Sequence, residues 1–302
     1  MMQSFILGAG LGTRLHPLTS ILPKPLMPVF QKPLVQHILD YHYKAGVGEF
    51  IINTSHLAPL WERAFPEHHW HGRPLHFSYE ECALDSGGGL KKIMPLVNPD
   101  EPLLVQNGDI LTDLPLHDLL NAHRKSGRLV TLALRSVGSN RNVGFDPASG
   151  RVTDMRHTLG IDPGSSQFAG VYVMESDLAR LFPAENLFSI VPVWLELIRE
   201  GQVGGVLFDH AQWYEIGSPG SYLDSVLDMT SIQRIHDTAT VHPEAFVSED
   251  CAVGAEAWLP EGTELTDCIV WPRTHVKPGR YRRCIITPRL TVKAPEGSVD
   301  CS

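Results

Sequence analysis

The residues best placed to do chemistry stand at the start of the chain. There the apolar run Phe5-Ile6-Leu7 opens into Gly8-Ala9-Gly10-Leu11-Gly12-Thr13-Arg14-Leu15, and Pro23-Lys24-Pro25 follows shortly after. Three glycines at every second position keep Cβ atoms out of the way, so backbone amides from Leu7 to Thr13 can approach anionic oxygens. Arg14 and Lys24 supply fixed positive charge beside them. Together these features describe a place to hold the triphosphate of a nucleotide.

Two better-known phosphate loops do not fit. A P-loop needs a lysine directly after its last glycine, whereas Thr13 follows Gly12 and the nearest lysine is Lys24. A dinucleotide fold needs a helix opening at the glycines and an acidic residue ending the second strand. Here that strand, from Glu49, ends in Asn53-Thr54-Ser55, and Pro17, Pro23, Pro25 and Pro28 keep the segment after Arg14 from forming a long helix.

The elements that must position this loop are strands alternating with helices. Strands are expected near Ser4–Leu7, Glu49–Asn53, Leu75–Tyr79, Leu103–Gln106 and Val130–Leu134. Leu34, Val35, Ile38, Leu39 and Ala45 recur with helical spacing up to Gly46, as do Leu116, Leu119, Leu120 and His123 before Gly127. The pattern is that of an α/β protein with a doubly wound, mainly parallel sheet. Ligands of such sheets sit at the carboxyl ends of the strands, which gathers the loops after Leu7, Tyr79 and Gln106 into one crevice. The third loop, Gln106-Asn107-Gly108-Asp109, brings a carboxylate to that crevice, where Mg2+ bridging two phosphate groups would need an oxygen ligand. Asn107-Gly108 as a simple hairpin turn is disfavoured, because Ile110-Leu111 is too short to be the returning strand.

The chain has 302 residues, 43% of them hydrophobic, and a net charge of -9. The length favours more than one unit. Such an acidic chain is a poor partner for nucleic acid, so the cations near the glycine loop look local. No segment approaches a membrane span, and the first residues lead directly into a strand without a basic leader. Cys82, Cys251, Cys268, Cys284 and Cys301 are odd in number and lack Cys-x-x-Cys spacing, so reduced thiols and a cytoplasmic protein are expected. His68, His69 and His71 flank Trp70 between Pro66 and Gly72 and read as loop decoration, not a metal site.

The stretch from Leu7 to Val29 resembles the signature of the sugar-1-phosphate nucleotidyltransferases, the nucleotide-sugar pyrophosphorylases. The resemblance extends over about the first 230 residues. It implies transfer of a nucleotidyl group from a nucleoside triphosphate to a sugar 1-phosphate with release of pyrophosphate, dependent on Mg2+. Leu7, Gly8, Ala9, Gly10, Gly12 and Thr13 would then hold the nucleotide, with Arg14, Lys24 and Asp109 catalytic and Asp109 a metal ligand. Trp213-Tyr214-Glu215-Ile216-Gly217-Ser218-Pro219 is similar to the family's Trp-x-Asp-x-Gly-Thr-Pro, which makes Glu215 the second metal ligand, one methylene longer than the family's aspartate. Ser86-Gly87-Gly88-Gly89 reads as a glycine turn entering a helix capped by Ser86. Glu81, Asp85 and Gly88 are the candidates beside the nucleobase.

A hairpin from Asn142 to Asp146 and Arg151 to Asp154 would cover the sugar. Gly144 lies on it, and Arg156 stands near the family's missing lysine. Ala169 and Gly170, in a strand similar to the family's Ala-Gly-Ile-Tyr, would offer backbone contacts to sugar hydroxyls. The overall resemblance to uridylyl- and guanylyl-transferring members favours UTP or GTP. The Glu215 replacement and the missing lysine leave a second reading, a non-catalytic regulatory protein that binds nucleotide sugars.

After residue 231 the composition changes. Val241, Val247, Val253, Leu259 and Leu265 recur every six residues, with Ala245, Cys251, Ala257 and Thr263 as small residues between them. This is the patterning of a small left-handed β-helix. Its register slips by one at Val270 and Val276 and fades through Arg280-Tyr281-Arg282-Arg283. The expected domains are therefore 1–231, catalytic, and 232–302, a short β-helix serving homo-oligomer contact or support.

Overall fold

A computed structural model describes residues 2–138, 140–161, 164–229 and 233–295. The chain forms two compact units, one chiefly from Met1–Leu11 and Ile38–Trp213, the other from Gly12–His37 and Tyr214–Val299. This division does not fall at residue 231. The segment after the glycine loop and the helix Pro219–Asp228 group with the C-terminal coil.

The first unit is built on ten strands: β1 Gln3–Leu7, β2 Glu49–Thr54, β3 His69–Trp70, β4 Arg73–Tyr79, β5 Leu103–Asn107, β6 Val130–Arg135, β7 Val143–Asp146, β8 Arg151–Met155, β9 Gln167–Met174 and β10 Val203–Leu207. Their order across the sheet is β7-β8-β10-β6-β9-β5-β1-β2-β4-β3. β5, β1, β2 and β4 run parallel, as do β6 and β10. β9 runs antiparallel between β5 and β6. Phe5, Ile51, Leu103, Val105, Leu132 and Tyr172 are among the residues of one buried cluster, so the central strands are apolar because the sheet interior is closed to water. From β1 the chain passes to β2 on one side and only later to β5 on the other. That reversal opens a crevice at the carboxyl ends of β1 and β5, where Gly8 and Asp109 stand.

All five expected strands are present. The expected helices form as Leu34–Lys44 and Leu116–Ser126, the latter stopped by Gly127 in the left-handed region at φ 61°. The Asn142–Asp154 hairpin is β7 and β8, closed by a turn in which Asp146 Oδ1 accepts from the Ala148 amide at 3.0 Å. The glycines Gly87–Gly89 depart from the expectation. They lie inside the helix Asp85–Ile93, buried, and Ser86 does not cap it. A Cβ on Gly87 would strike the Phe188 ring, and one on Gly88 the Asn186 carbonyl, so these glycines let the helix press against residues 186–188.

In the second unit the prolines after Arg14 leave three single 3-10 turns, Thr13–Leu15, Leu18–Ser20 and Lys24–Leu26, followed by the hairpin Pro28–Val29 and Lys32–Pro33. C-terminal strands stack in three sheets that are parallel except where Cys284–Ile286 pairs antiparallel with Thr291–Lys293. Thr240–Val241 pairs with Trp258–Leu259, Phe246–Val247 with Thr263–Thr266, and Ala252–Val253 with Ile269–Val270. This arrangement is consistent with a small β-helix. Val253, Leu259, Leu265, Cys268, Val270 and Ile286 fill its core, as a six-residue repeat with one inward aliphatic per side requires. The register slip corresponds to Val253 pairing with Val270, 17 residues on, where Phe246 pairs with Glu264 after 18. The repeat does not fade at the charged run. Gly279–Arg282 is a strand of the stack, and Arg280 Nε pairs with Glu264 at 2.9 Å on its outer face.

Candidate active site

In the first unit the glycine loop begins buried and ends exposed. A Cβ on Gly8 would sit 2.7 Å from the Asn53 carbonyl oxygen, and the Gly8 and Ala9 amides donate to Asn53 Oδ1 at 2.7 and 3.3 Å. Those two amides are thus held internally, contrary to the expectation that they face phosphate. Gly10 and Leu11 are exposed, and a Cβ on Gly10 would meet nothing within 4 Å. Asn53 also donates through Nδ2 to Glu80 Oε1 at 2.8 Å, and Glu80 Oε2 accepts from the Leu84 amide at 2.8 Å. One polar chain therefore runs from the glycine loop to the loop after β4. A strand-end asparagine and a buried glutamate distant in sequence give no local signal of this.

Asp109 is half-buried at the end of β5. Its turn is pinned from both sides. The Gly108 amide donates to the Leu7 carbonyl at 3.0 Å, and Gln106 Nε2 donates to the Ile110 carbonyl at 2.9 Å. Gln106 Oε1 in turn accepts from His42 Nε2 at 2.8 Å, which fixes the tautomer of that buried imidazole. Burial lowers the His42 pKa to about 4, so it stays neutral. The turn is not a hairpin, because the neighbours of β5 are β1 and β9.

Glu81 and Gly88 line a cavity of about 520 Å³ with Glu80, Lys91, Lys92 and Asn186. Lys91 Nζ donates to the carbonyls of Pro183, Ala184 and Glu185 at 2.8, 2.6 and 3.0 Å, and Lys92 donates to that of Tyr79. Asp85, at φ 62°, is exposed and turns its carboxylate onto the Ser86 amide at 2.6 Å.

On the sugar side the expected residues divide. Gly144 is buried in β7 opposite Asp154. Arg156 is exposed, at φ 56°, with its amide bonded to the Asn142 carbonyl at 2.6 Å. Asp154, fully buried, accepts from the amides of Met155, Leu159 and Ile161, so it organises this loop. Gly170 adopts φ 79° at a bulge in β9, and a Cβ there would press Ile110 at 2.7 Å. The Ala169 carbonyl, expected to meet sugar, accepts from Trp213 Nε1 at 2.9 Å instead. Arg135, not singled out from the sequence, stacks over the Trp213 ring at 4.6 Å. Its Nε is buried without a partner among the described residues, and burial pulls its pKa below the usual arginine value.

In the second unit Gly12 sits at φ 60°, where a Cβ would strike Thr19 at 2.8 Å. Arg14 is exposed on the turn that follows, its Nη2 3.5 Å from Glu215 Oε1. With side chains 71% and 40% exposed, this ion pair is worth about 0–1 kcal/mol and Arg14 can leave it for a phosphate. Gly217 leaves room for the pair, since a Cβ there would lie 3.1 Å from Glu215 Oε1. Lys24 is half-buried at the start of its 3-10 turn, where Pro23 and Pro25 hold the backbone.

Among the described residues no group of three His, Cys, Asp or Glu side chains forms a metal site. His68, His69 and His71 turn to Glu62, the Glu67 carbonyl and Asp40 respectively. Cys82, Cys251, Cys268 and Cys284 are free thiols, while Cys301 lies outside the described residues. No helix among the described residues is long and apolar enough to cross a membrane.

Comparison with known proteins bears on the family and the fold. Mannose-1-phosphate guanylyltransferase of Mycobacterium tuberculosis is 28% identical over 302 aligned residues, covering 94% of this chain and 82% of its own. UTP–glucose-1-phosphate uridylyltransferase of Synechocystis is 27% identical, over 76% of this chain and 64% of its own. Among solved structures, HddC from Yersinia pseudotuberculosis complexed with GMP-PN superposes with a TM-score of 0.62 at 20% identity, over 75% of this chain and 98% of that one. UDP-glucose pyrophosphorylase complexed with UDP-glucose gives a TM-score of 0.63 at 18% identity, over 75% of this chain and 97% of that one. These two likenesses show the fold. The family model described as nucleotidyl transferase matches residues 3–232, and the chain belongs to that family.

Proposed function

We propose that this nucleotidyltransferase joins a nucleoside monophosphate unit from UTP or GTP to a sugar 1-phosphate, releasing pyrophosphate. The observation that carries the reading is the exposed Gly10 just after β1, where no Cβ obstructs the approach of a ligand, beside Asp109 at the end of the neighbouring β5. The triphosphate lies along Gly10, Gly12 and Thr13, and Arg14 leaves Glu215 to hold the β,γ-phosphates. Asn53 supports this from behind by fixing Gly8 and Ala9. The sugar phosphate oxygen attacks the α-phosphorus in line as pyrophosphate departs, while Lys24 neutralises charge on the transferred group. A phosphate monoester is already anionic at neutral pH, so no side-chain base is needed, and positioning with electrostatics does the catalysis. Glu81 and Gly88 border the base, and Arg135 meets the sugar phosphate in place of the family's lysine, with Arg156, Gly144 and Gly170 around the sugar.

Asp109 and Glu215 are hard oxygen donors and suit Mg2+, which keeps few protein ligands and completes its shell with phosphates and water. When bound, it would neutralise phosphate charge and align the two phosphate groups. The test is a screen for pyrophosphate release with four nucleoside triphosphates and a panel of sugar 1-phosphates. Release is expected with UTP or GTP, and Asp109→Ala should abolish it while the melting temperature holds. If no pair gives pyrophosphate, the chain is a nucleotide-sugar-binding protein without catalysis.

A further inference from the structure

A cavity of about 350 Å³ lies entirely within the second unit, between the hairpin after Lys24 and the C-terminal coil. Leu22, Leu26 and Trp271 give it an apolar floor, and Lys32, Arg273 and Arg289 stand around it, with no carboxylate among its lining residues. In a chain of net charge -9, three cations about one apolar hollow form a local field that favours an anion. None of Gly12, Arg14 or Glu215 lines it.

The hollow is preformed. The Trp271 indole donates to Tyr222 Oη at 3.1 Å, and Tyr222 donates to the Pro28 carbonyl, so the ring is fixed. Arg273 is held at φ 58° with its amide on the Ala255 carbonyl at 2.8 Å. Arg289 sits on a turn closed by Thr287, whose Oγ1 accepts from the Arg289 and Leu290 amides at 3.2 and 3.0 Å. Both guanidinium groups are exposed and make no hydrogen bond or ion pair with the described residues. Gln31 Oε1, also at this cavity, is buried and has no donor among the described residues. Such an acceptor is costly to leave unpaired, and a ligand hydroxyl would satisfy it.

We propose that this cavity binds a phosphorylated small molecule with a compact, partly apolar body, at a site separate from the nucleotide loop. The phosphate meets Arg273, Arg289 and Lys32, and the body rests on Trp271 and Leu22. Leu26 ends the turn that begins at Lys24, so occupancy stiffens that turn. An effect on turnover rests on the role given to Lys24 above. Binding itself does not.

Calorimetric titration of the full-length protein with phenyl phosphate tests this, with inorganic phosphate and benzyl alcohol as comparison probes. Saturable binding of phenyl phosphate, tighter than either comparison probe, is expected. The double variant Arg273→Ala/Arg289→Ala should weaken it by about tenfold or more, because charge-assisted contacts to phosphate are lost. Leu22→Asp should weaken it as well, whereas Arg14→Ala should leave it intact. The proposal is overturned if phenyl phosphate does not bind saturably, if inorganic phosphate binds as tightly, or if Arg14→Ala abolishes binding that the double variant retains. Pyrophosphate release by the double variant without probe should equal that of the unaltered protein. Failure of this site and failure of the transfer reaction therefore remain distinguishable.

Discussion

Asn53 does more with one side chain than any residue of the glycine motif. It holds the Gly8 and Ala9 amides and braces Glu80, all away from water. Asn53→Ala would leave these groups unsatisfied, and each buried orphan costs about 1–3 kcal/mol. The expected outcome is a clear fall in melting temperature together with a raised KM for the nucleoside triphosphate. Arg135→Ala keeps the fold, since Arg135 lies at a strand end, and should raise KM for the sugar 1-phosphate by about tenfold with loss of one charge-assisted contact. An unchanged KM would remove Arg135 from the sugar site. Arg14, Lys24 and Asp109 were singled out as candidates in the sequence because they stand in contiguous motifs whose glycines and prolines announce the backbone. Asn53, Glu80 and Arg135 were not, because their partners come from other strands and meet them only when the sheet assembles.

At the scale of elements, the two pieces that position the site are a helix side chain behind β5 and a glycine-lined helix after β4. His42 is buried and neutral, with its pKa lowered from 6.5 to about 4. As pH falls through this window the unfolded chain binds a proton that the folded chain refuses. Stability is therefore full above 6.5 and declines below it, by up to about 3 kcal/mol near pH 4. Urea melts at pH 7 and pH 5 should show His42→Gln losing less stability over this interval than the unaltered protein. Gly88→Ala places a methyl group against the Asn186 carbonyl, and overpacking of this kind costs about 1–3 kcal/mol, readable as a lower urea midpoint. The sequence showed these glycines but suggested a turn. Glycine runs signal turns locally, and only the approach of residues 186–188 reveals that the missing side chains serve packing inside a helix.

At the scale of the molecule, the mainly parallel sheet and the stacked C-terminal strands followed from periodicity, whereas the strand order and the grouping of Gly12–His37 with the C-terminal unit did not. That grouping depends on single long-range bonds, such as Tyr222 to the Pro28 carbonyl and Trp271 to Tyr222, which no window of sequence displays. A chain ending at residue 231 lacks Trp271 and should lose turnover even if its sheet folds; full activity in that chain would mean that the coil gives the Lys24 segment no support. The central claim is that the exposed glycine loop clasps a nucleoside triphosphate, and a crystal structure with UTP or GTP and magnesium tests it most directly. The account predicts β- and γ-phosphate oxygens within hydrogen-bond distance of the Gly10–Thr13 amides, with Arg14 turned from Glu215 onto them. A triphosphate bound elsewhere, with Gly10–Arg14 untouched at saturating nucleotide, would contradict it.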